Sequence, residues 1–161
     1  MFAEKLKTLY PVKRQLSEER IVREKVKGSL YHIPQVVVSP QMGFETIMGI
    51  MNLEKEAQEV FGVMAINSKN KVIGFDIISI GSLDATIAHP REVFKKLILR
   101  NAATCICFHN HTSGDPFPSK EDIEVTKRLV EVGHIIGIPL RDHLITGDNG
   151  KFTSMSEKGF I

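Results

Sequence analysis

The chain has 161 residues, 42% hydrophobic and 25% charged, an ordinary globular composition that can bury one sizeable core. Its 21 Lys and Arg against 19 Asp and Glu give a net charge of +2, too balanced for strong non-specific polyanion binding over the whole surface. Two cysteines exclude a disulfide-stapled secreted scaffold, and no apolar run approaches the ~20 residues of a membrane-spanning helix.

The charge is uneven along the chain. Residues 1–33 hold eight basic residues (Lys5, Lys7, Lys13, Arg14, Arg20, Arg23, Lys25, Lys27) against four acidic ones, which leaves 13 against 15 in the remainder. A nucleic-acid contact is therefore sought at this end. The start MFAEKLKTLYPVKR lacks the apolar centre and cleavage site of a signal peptide, so a cytoplasmic, membrane-free protein is expected. Leu6, Leu9, Leu16, Ile21, Val22 and Val26 give only a sparse apolar stripe around Pro11, and residues 1–38 are read as a basic, helical N-terminal extension.

IPQVVVS (33–39) is expected as a short strand, and Pro40 opens a predicted helix over 41–52 whose Phe44, Ile47, Met48 and Met51 stripe is core packing. From Glu59 the period becomes two: Glu59, Phe61, Val63 and Ala65 share one face of EVFGVMAI, NSKN turns, and KVIGFDIISI forms a second strand. HPREVFKKLILRNA (89–102) starts a helix at Pro90 and carries apolar positions Val93, Phe94, Leu97 and Ile98. His89 before it is read as a structural residue. ATCICF (103–108) is a strand, on which Cys105 and Cys107 are expected to face opposite ways and to form no mutual disulfide. A polar loop, HNHTSGDPFP, leads to a helix over Ser119–Val132 with Ile123, Val125, Thr126, Leu129 and Val130 inward, closed by Gly133. IPLRDHLIT, the turn GDNG and KFTSM make a terminal hairpin. Strands and helices so intermixed predict a mixed α/β or α+β sheet flanked by helices.

The chemistry is concentrated after the third strand. His109 and His111, two apart at a strand end, project to one side and can offer two imidazoles to one ion. Asp122, in the first turn of the next helix, is a candidate third ligand, leaving a fourth position for water. A zinc ion held in this way activates water and polarises a carbonyl, the minimum equipment for amide hydrolysis. Glu59, among apolar neighbours whose partial burial would raise its pKa, is the candidate general base, and Ser119 the candidate oxyanion donor.

Simpler roles compete. Ser119-x-x-Asp122 also fits a helix capping box. Glu54, Glu56 and Glu59 could form only a solvated acidic connection, and Asp115 beside Gly114 and Pro116 suits a turn better than a ligand. Asp142 and His143 are candidates for supporting a ligand or for a purely structural bond. The H-x-E with P-C-x-x-C pattern of zinc deaminases is absent.

Glu59 followed by His109-x-His111, seven intervening residues, Ser119, two more and Asp122 resembles the JAMM motif of MPN-plus metalloproteases. SIGSLDATIAHPREVFKKLILRNAA, HNHTSGDPFPSKED and IPLRDHLITGDNGKFTSMSEKGF further resemble the RadC-type JAB domain, over roughly residues 39–161. The resemblance implies a cytidine-deaminase-like JAB/MPN architecture and one zinc ion per chain, on His109, His111, Asp122 and a water. It also implies Glu59 as acid/base and Ser119 as the oxyanion-stabilising hydroxyl. Related MPN-plus enzymes cleave peptide or isopeptide bonds, which makes a peptide or protein the implied substrate. RadC-type proteins are described in connection with DNA repair, so a nucleic-acid-binding or docking protein without peptidase activity is the alternative. Thr112 stands where that family usually has Pro, which relaxes the loop backbone. Residues 1–38 lack the paired Gly-containing hairpin of the helix-hairpin-helix region that precedes the JAB domain in full-length RadC proteins.

Overall fold

The computed structural model describes residues 31–81 and 88–161. The helical expectation for the N-terminal extension falls on residues 1–30 and lies outside them.

Residues 33–39 form no strand, contrary to the expectation from IPQVVVS. Pro34 and Pro40 cannot donate to a ladder, and Val37 makes a lone backbone bond, donating to the Asn70 carbonyl at 2.8 Å. The segment ends in a helix cap instead. Ser39 Oγ accepts from the Met42 N–H at 3.3 Å and Pro40 takes the first helical position of α1, Pro40–Ile50. Phe44 and Ile47 are buried from this helix, and the Phe44 ring stacks on Phe152 with centroids 4.6 Å apart. A 3-10 turn, Leu53–Lys55, leads to β1.

Strands β1 (Val60–Ile66) and β2 (Val72–Ile80) form an antiparallel hairpin through the NSKN turn. Asn67 Oδ1 accepts from the Lys69 and Lys71 N–H groups there, and Asn70 takes a left-handed φ of 60°. Helix α2 (Pro90–Leu99) is capped by His89, whose Nδ1 accepts from the Arg91 N–H at 3.1 Å; that bond is its structural role. Strand β3 (Thr104–Asn110), helix α3 (Lys120–Ile136), and strands β4 (Leu140–Thr146) and β5 (Phe152–Ser154) complete the described chain.

The sheet order is β2-β1-β3-β4-β5, with β3 and β4 parallel and the other pairs antiparallel. Joining two parallel neighbours requires a crossover, which α3 supplies. This is the expected mixed α+β sheet flanked by helices. One face buries Phe61, Val63 and Ala65 with Cys105 and Cys107 against Val93, Phe94 and Leu97 of α2 and Leu129 of α3. The other buries Val60, Met64, Ile106, Phe108 and Leu144 against Phe44 and Ile47 of α1.

Two details correct the sequence reading. Cys105 and Cys107 share a face, as residues two apart on a strand must, yet both stay free. Burial pushes the Cys105 thiol up to about 12 and Cys107 also well up, which removes both as nucleophiles near neutral pH. Gly133 does not close α3; it lies within the helix, where a Cβ would press on the Ile138 carbonyl oxygen at 2.8 Å. Gly137, with φ 80°, is the left-handed cap. A similar close approach governs Gly62 on β1, where a Cβ would run into the buried Phe108 ring and the Asp76 carbonyl. Gly62→Ala is expected to destabilise the fold by about 1–3 kcal/mol through overpacking, read as a lower denaturation midpoint; unchanged stability would show that Phe108 can give way.

Candidate metal centre

The site forms where β3 ends and α3 begins, beyond the C-terminal ends of the two parallel strands, the usual place for a site in such a sheet. His109 lies on β3, facing α2 and α3 with the two cysteines. His111 is one residue past the strand, and its N–H still donates to the Thr146 carbonyl at 2.9 Å, which carries the β3–β4 pairing forward. The chain then turns. The Gly114 N–H donates to the His111 carbonyl at 3.0 Å, and Asp115 Oδ1 accepts from the Phe117 N–H at 3.1 Å. Asp115 is thus the turn former, and its backbone carbonyl accepts from His111 Nδ1 at 2.8 Å.

Among the described residues His109, His111 and Asp122 bring ligand atoms within 4.8 Å of one another and could hold a metal ion. The individual separations are tighter. His109 Nε2 lies 3.0 Å from His111 Nε2 and 3.1 Å from Asp122 Oδ1, while His111 Nε2 lies 3.2 Å from Asp122 Oδ2. Ligands about 2.0–2.1 Å from a tetrahedral zinc ion sit about 3.3–3.4 Å from one another, so the separation of the two imidazole nitrogens and their distances to the two carboxylate oxygens are of the size such an ion needs. The proton inventory points the same way. A carbonyl can only accept, so His111 Nδ1 carries a proton, and its Nε2 is the nitrogen turned inward, towards His109 and Asp122. Two imidazole nitrogens this close need a shared proton or a shared cation.

The surroundings hold the cluster rigidly. His109 is fully buried and Asp122 is 6% exposed. The Phe61 ring covers His109, and His143 meets that ring edge-on. His109 Nδ1 lies 2.8 Å from His143 Nε2, and His143 Nδ1 lies 2.6 Å from Thr126 Oγ1. Burial would push the Asp122 carboxyl up, but hydrogen bonds from His109, His111 and Ser119 outweigh it and hold the group well below the usual carboxylate range. The same carboxylate, chiefly by its hydrogen bond, raises His111 against desolvation, with the Asp115 carbonyl and the Glu59 charge adding to the shift. Burial holds His143 well below the ordinary histidine value.

Ser119 closes the capping box expected of it, and this bears on its other expected role as oxyanion donor. Its Oγ accepts from the Asp122 N–H at 3.1 Å and donates to Asp122 Oδ2 at 2.6 Å, while its own N–H donates to that oxygen at 2.7 Å. The capping box and the metal cluster therefore share Asp122, and the hydroxyl proton of Ser119 is committed to a ligand oxygen. Glu59 immediately precedes β1, two residues before Phe61, which pairs with His109. Asn110, which sequence reasoning passed over, fixes that position from both flanks. Its Oδ1 accepts from the Val60 N–H at 2.7 Å and its Nδ2 donates to the Gln58 carbonyl at 3.2 Å.

Asp142 and His143 do not work as a pair. The Asp142 carboxylate accepts from the His143 and Ser156 N–H groups and from the Ser154 hydroxyl, tying β4 to β5 and the chain after it. The His143 ring alone reaches the cluster. Beside His111 opens a cleft of about 160 Å³ lined by Asn110, Thr112, Glu54, Glu56 and Asp148. No helix among the described residues is long and apolar enough to cross a membrane.

A family profile described as the RadC-like JAB domain matches residues 37–160. A UPF0758 protein of Geobacillus sp. (strain WCH70) is 54% identical over 131 residues, covering 81% of this chain and 57% of the relative. The UPF0758 protein YsxA of Bacillus subtilis (strain 168) is 52% identical over 126 residues, covering 78% and 53%. A UPF0758 protein of Bacillus cereus (strain AH187) is 61% identical over 104 residues, covering 65% and 46%. The chain thus spans about half the length of the curated relatives it matches.

Proposed function

The chain belongs to the RadC-like JAB domain family, and from that membership we propose that it is a zinc-dependent hydrolase of the JAMM type that cleaves a peptide or isopeptide bond. The observation that carries this is the convergence of His109 Nε2, His111 Nε2 and the two Asp122 carboxylate oxygens at 3.0–3.2 Å, with His111 Nδ1 turned away to the Asp115 carbonyl. Zinc, when bound, supplies Lewis acidity that activates water and polarises the scissile carbonyl. Glu59 takes the proton from the attacking water and returns it to the leaving amine. Ser119 first presents Asp122 to the metal. For its hydroxyl to stabilise the oxyanion, its proton must turn from Asp122 Oδ2 to the substrate oxygen, and the bond it leaves would be weaker with Asp122 engaged as a metal ligand. The cleft beside His111 offers a place for the chain flanking the scissile bond, with Glu54, Glu56 and Asp148 at its rim.

Zinc-loaded and chelator-stripped protein assayed against peptide and isopeptide panels tests the reading. Hydrolysis restored by zinc alone supports it. A fully loaded protein inert across both panels contradicts it.

A second reading, a contact with nucleic acid, is favoured by the eight basic residues among positions 1–33. Replacing Lys13, Arg14, Arg20 and Arg23 by Gln together is expected to weaken duplex DNA binding and flatten its salt dependence. Affinity that ignores those four changes removes the motivation.

A further inference from the structure

We infer that His143 and Thr126 are positioning residues that set the proton on His109 Nδ1 and thereby keep its Nε2 free for the metal. The inference rests on the proposed metal site and extends it to two residues outside the ligand set.

The chain of protons can be followed from its far end. Thr126 Oγ1 lies 2.6 Å from the Asp122 carbonyl oxygen. A carbonyl only accepts, and two oxygens at that distance need a proton between them, so the threonine hydroxyl donates there. The same hydroxyl lies 2.6 Å from His143 Nδ1 and has no second proton to give, so it accepts and His143 Nδ1 is the donor. His143 is 1% exposed and its two ring nitrogens meet His109 and Thr126, neither of them an anion, so it carries one proton only. Its Nε2 therefore holds a lone pair. That lone pair, 2.8 Å away, receives the proton of His109 Nδ1. His109 Nδ1 is therefore a protonated nitrogen, and Nε2, which faces His111 and Asp122, is the one left for the ion, giving up to it any proton it shares with Asp122 in the metal-free protein.

The architecture makes this dependable. Thr126 belongs to α3, one turn after Asp122, and His143 belongs to β4 beside β3, so the elements that present two ligands also fix the tautomer of one. Partners outside the ligand set usually tune a histidine through a carboxylate or carbonyl. Here the acceptor is a neutral imidazole, which adds no negative charge to the centre. Asp122 is then the one anion among the proposed ligands, and the ion retains more of its own charge for polarising substrate.

The test uses Thr126→Val, nearly isosteric but without the hydroxyl, and Thr126→Ser, which restores it, together with His143→Leu and His143→Gln, whose amide oxygen can accept from His109. Zinc affinity is read by competition with a chromophoric chelator, and the His109 tautomer by long-range 1H–15N correlation of the metal-free protein. Thr126→Val and His143→Leu are expected to weaken zinc about 10–100-fold and to populate a His109 form whose Nδ1 carries no proton, with Thr126→Ser and His143→Gln close to wild type. Wild-type zinc affinity in Thr126→Val, or a His109 Nδ1 that carries no proton in the wild-type metal-free protein, overturns the inference. A wild type that takes up no zinc contradicts the proposed function instead, and the tautomer measurement still decides the role of His143 and Thr126.

Discussion

Glu59→Gln is expected to retain zinc at wild-type affinity and to lose about 10²–10⁴-fold in turnover, the usual contribution of a positioned general base. The amide keeps the size of the side chain and cannot take a proton. Glu59 is not one of the three clustered ligands, so metal content should not follow the loss of activity. The comparison that makes the result specific is Asn110→Ala. That change removes both hydrogen bonds flanking Glu59, to Val60 and to Gln58, without touching a ligand side chain. It should lower turnover in the same direction and by less. Robust hydrolysis by Glu59→Gln would remove the residue from the chemistry.

The second large effect is expected at Asp122, where one carboxylate serves the metal cluster and the helix. Asp122→Ala should abolish zinc binding and also release the Ser119 N–H and Oγ–H from their shared acceptor, with loss of that half of the capping box costing up to about 1 kcal/mol while Ser119 Oγ still accepts from the backbone of residue 122. Asp122→Asn separates the two roles. The amide oxygen can still close the capping box, so α3 should keep its stability, but a neutral amide is a poor ligand and zinc should be lost all the same. Thermal midpoints and metal content of the two variants check this together. If Asp122→Asn keeps full zinc occupancy, the aspartate is a cap and not a ligand.

How much of this could be read from the chain depends on how local each signal is. The cluster was legible because its parts sit within one strand–loop–helix segment: His109 and His111 by period two, Asp122 by its place in the first turn of α3. The competing capping box was legible for the same reason, and the structure contains both because the Asp122 carboxylate, through Oδ2, accepts from Ser119 while both its oxygens face the histidines. His143 was visible only as a histidine near a hairpin. What gives it a role is the parallel pairing of β3 with β4, a contact between residues 34 apart that no periodicity encodes. Thr126 looked like one more inward position on a helix.

The misreadings have physical causes too. The strand expected over 33–39 had suitable side chains, but two prolines deny it a ladder and Ser39 begins a helix. Gly133 resembled a helix stop, whereas its missing Cβ serves a close approach to the chain after α3. The placement of Cys105 and Cys107 on opposite faces contradicted the period used correctly for the histidines, and the sheet restores it.

The most direct test of the account is elemental analysis of purified wild type beside His109→Ala. About one zinc per wild-type chain, lost in the variant while its fold persists, is the predicted result. A folded wild type that neither contains zinc nor takes it up when supplied would contradict the account and leave Ser119 and Asp122 as a helix cap alone.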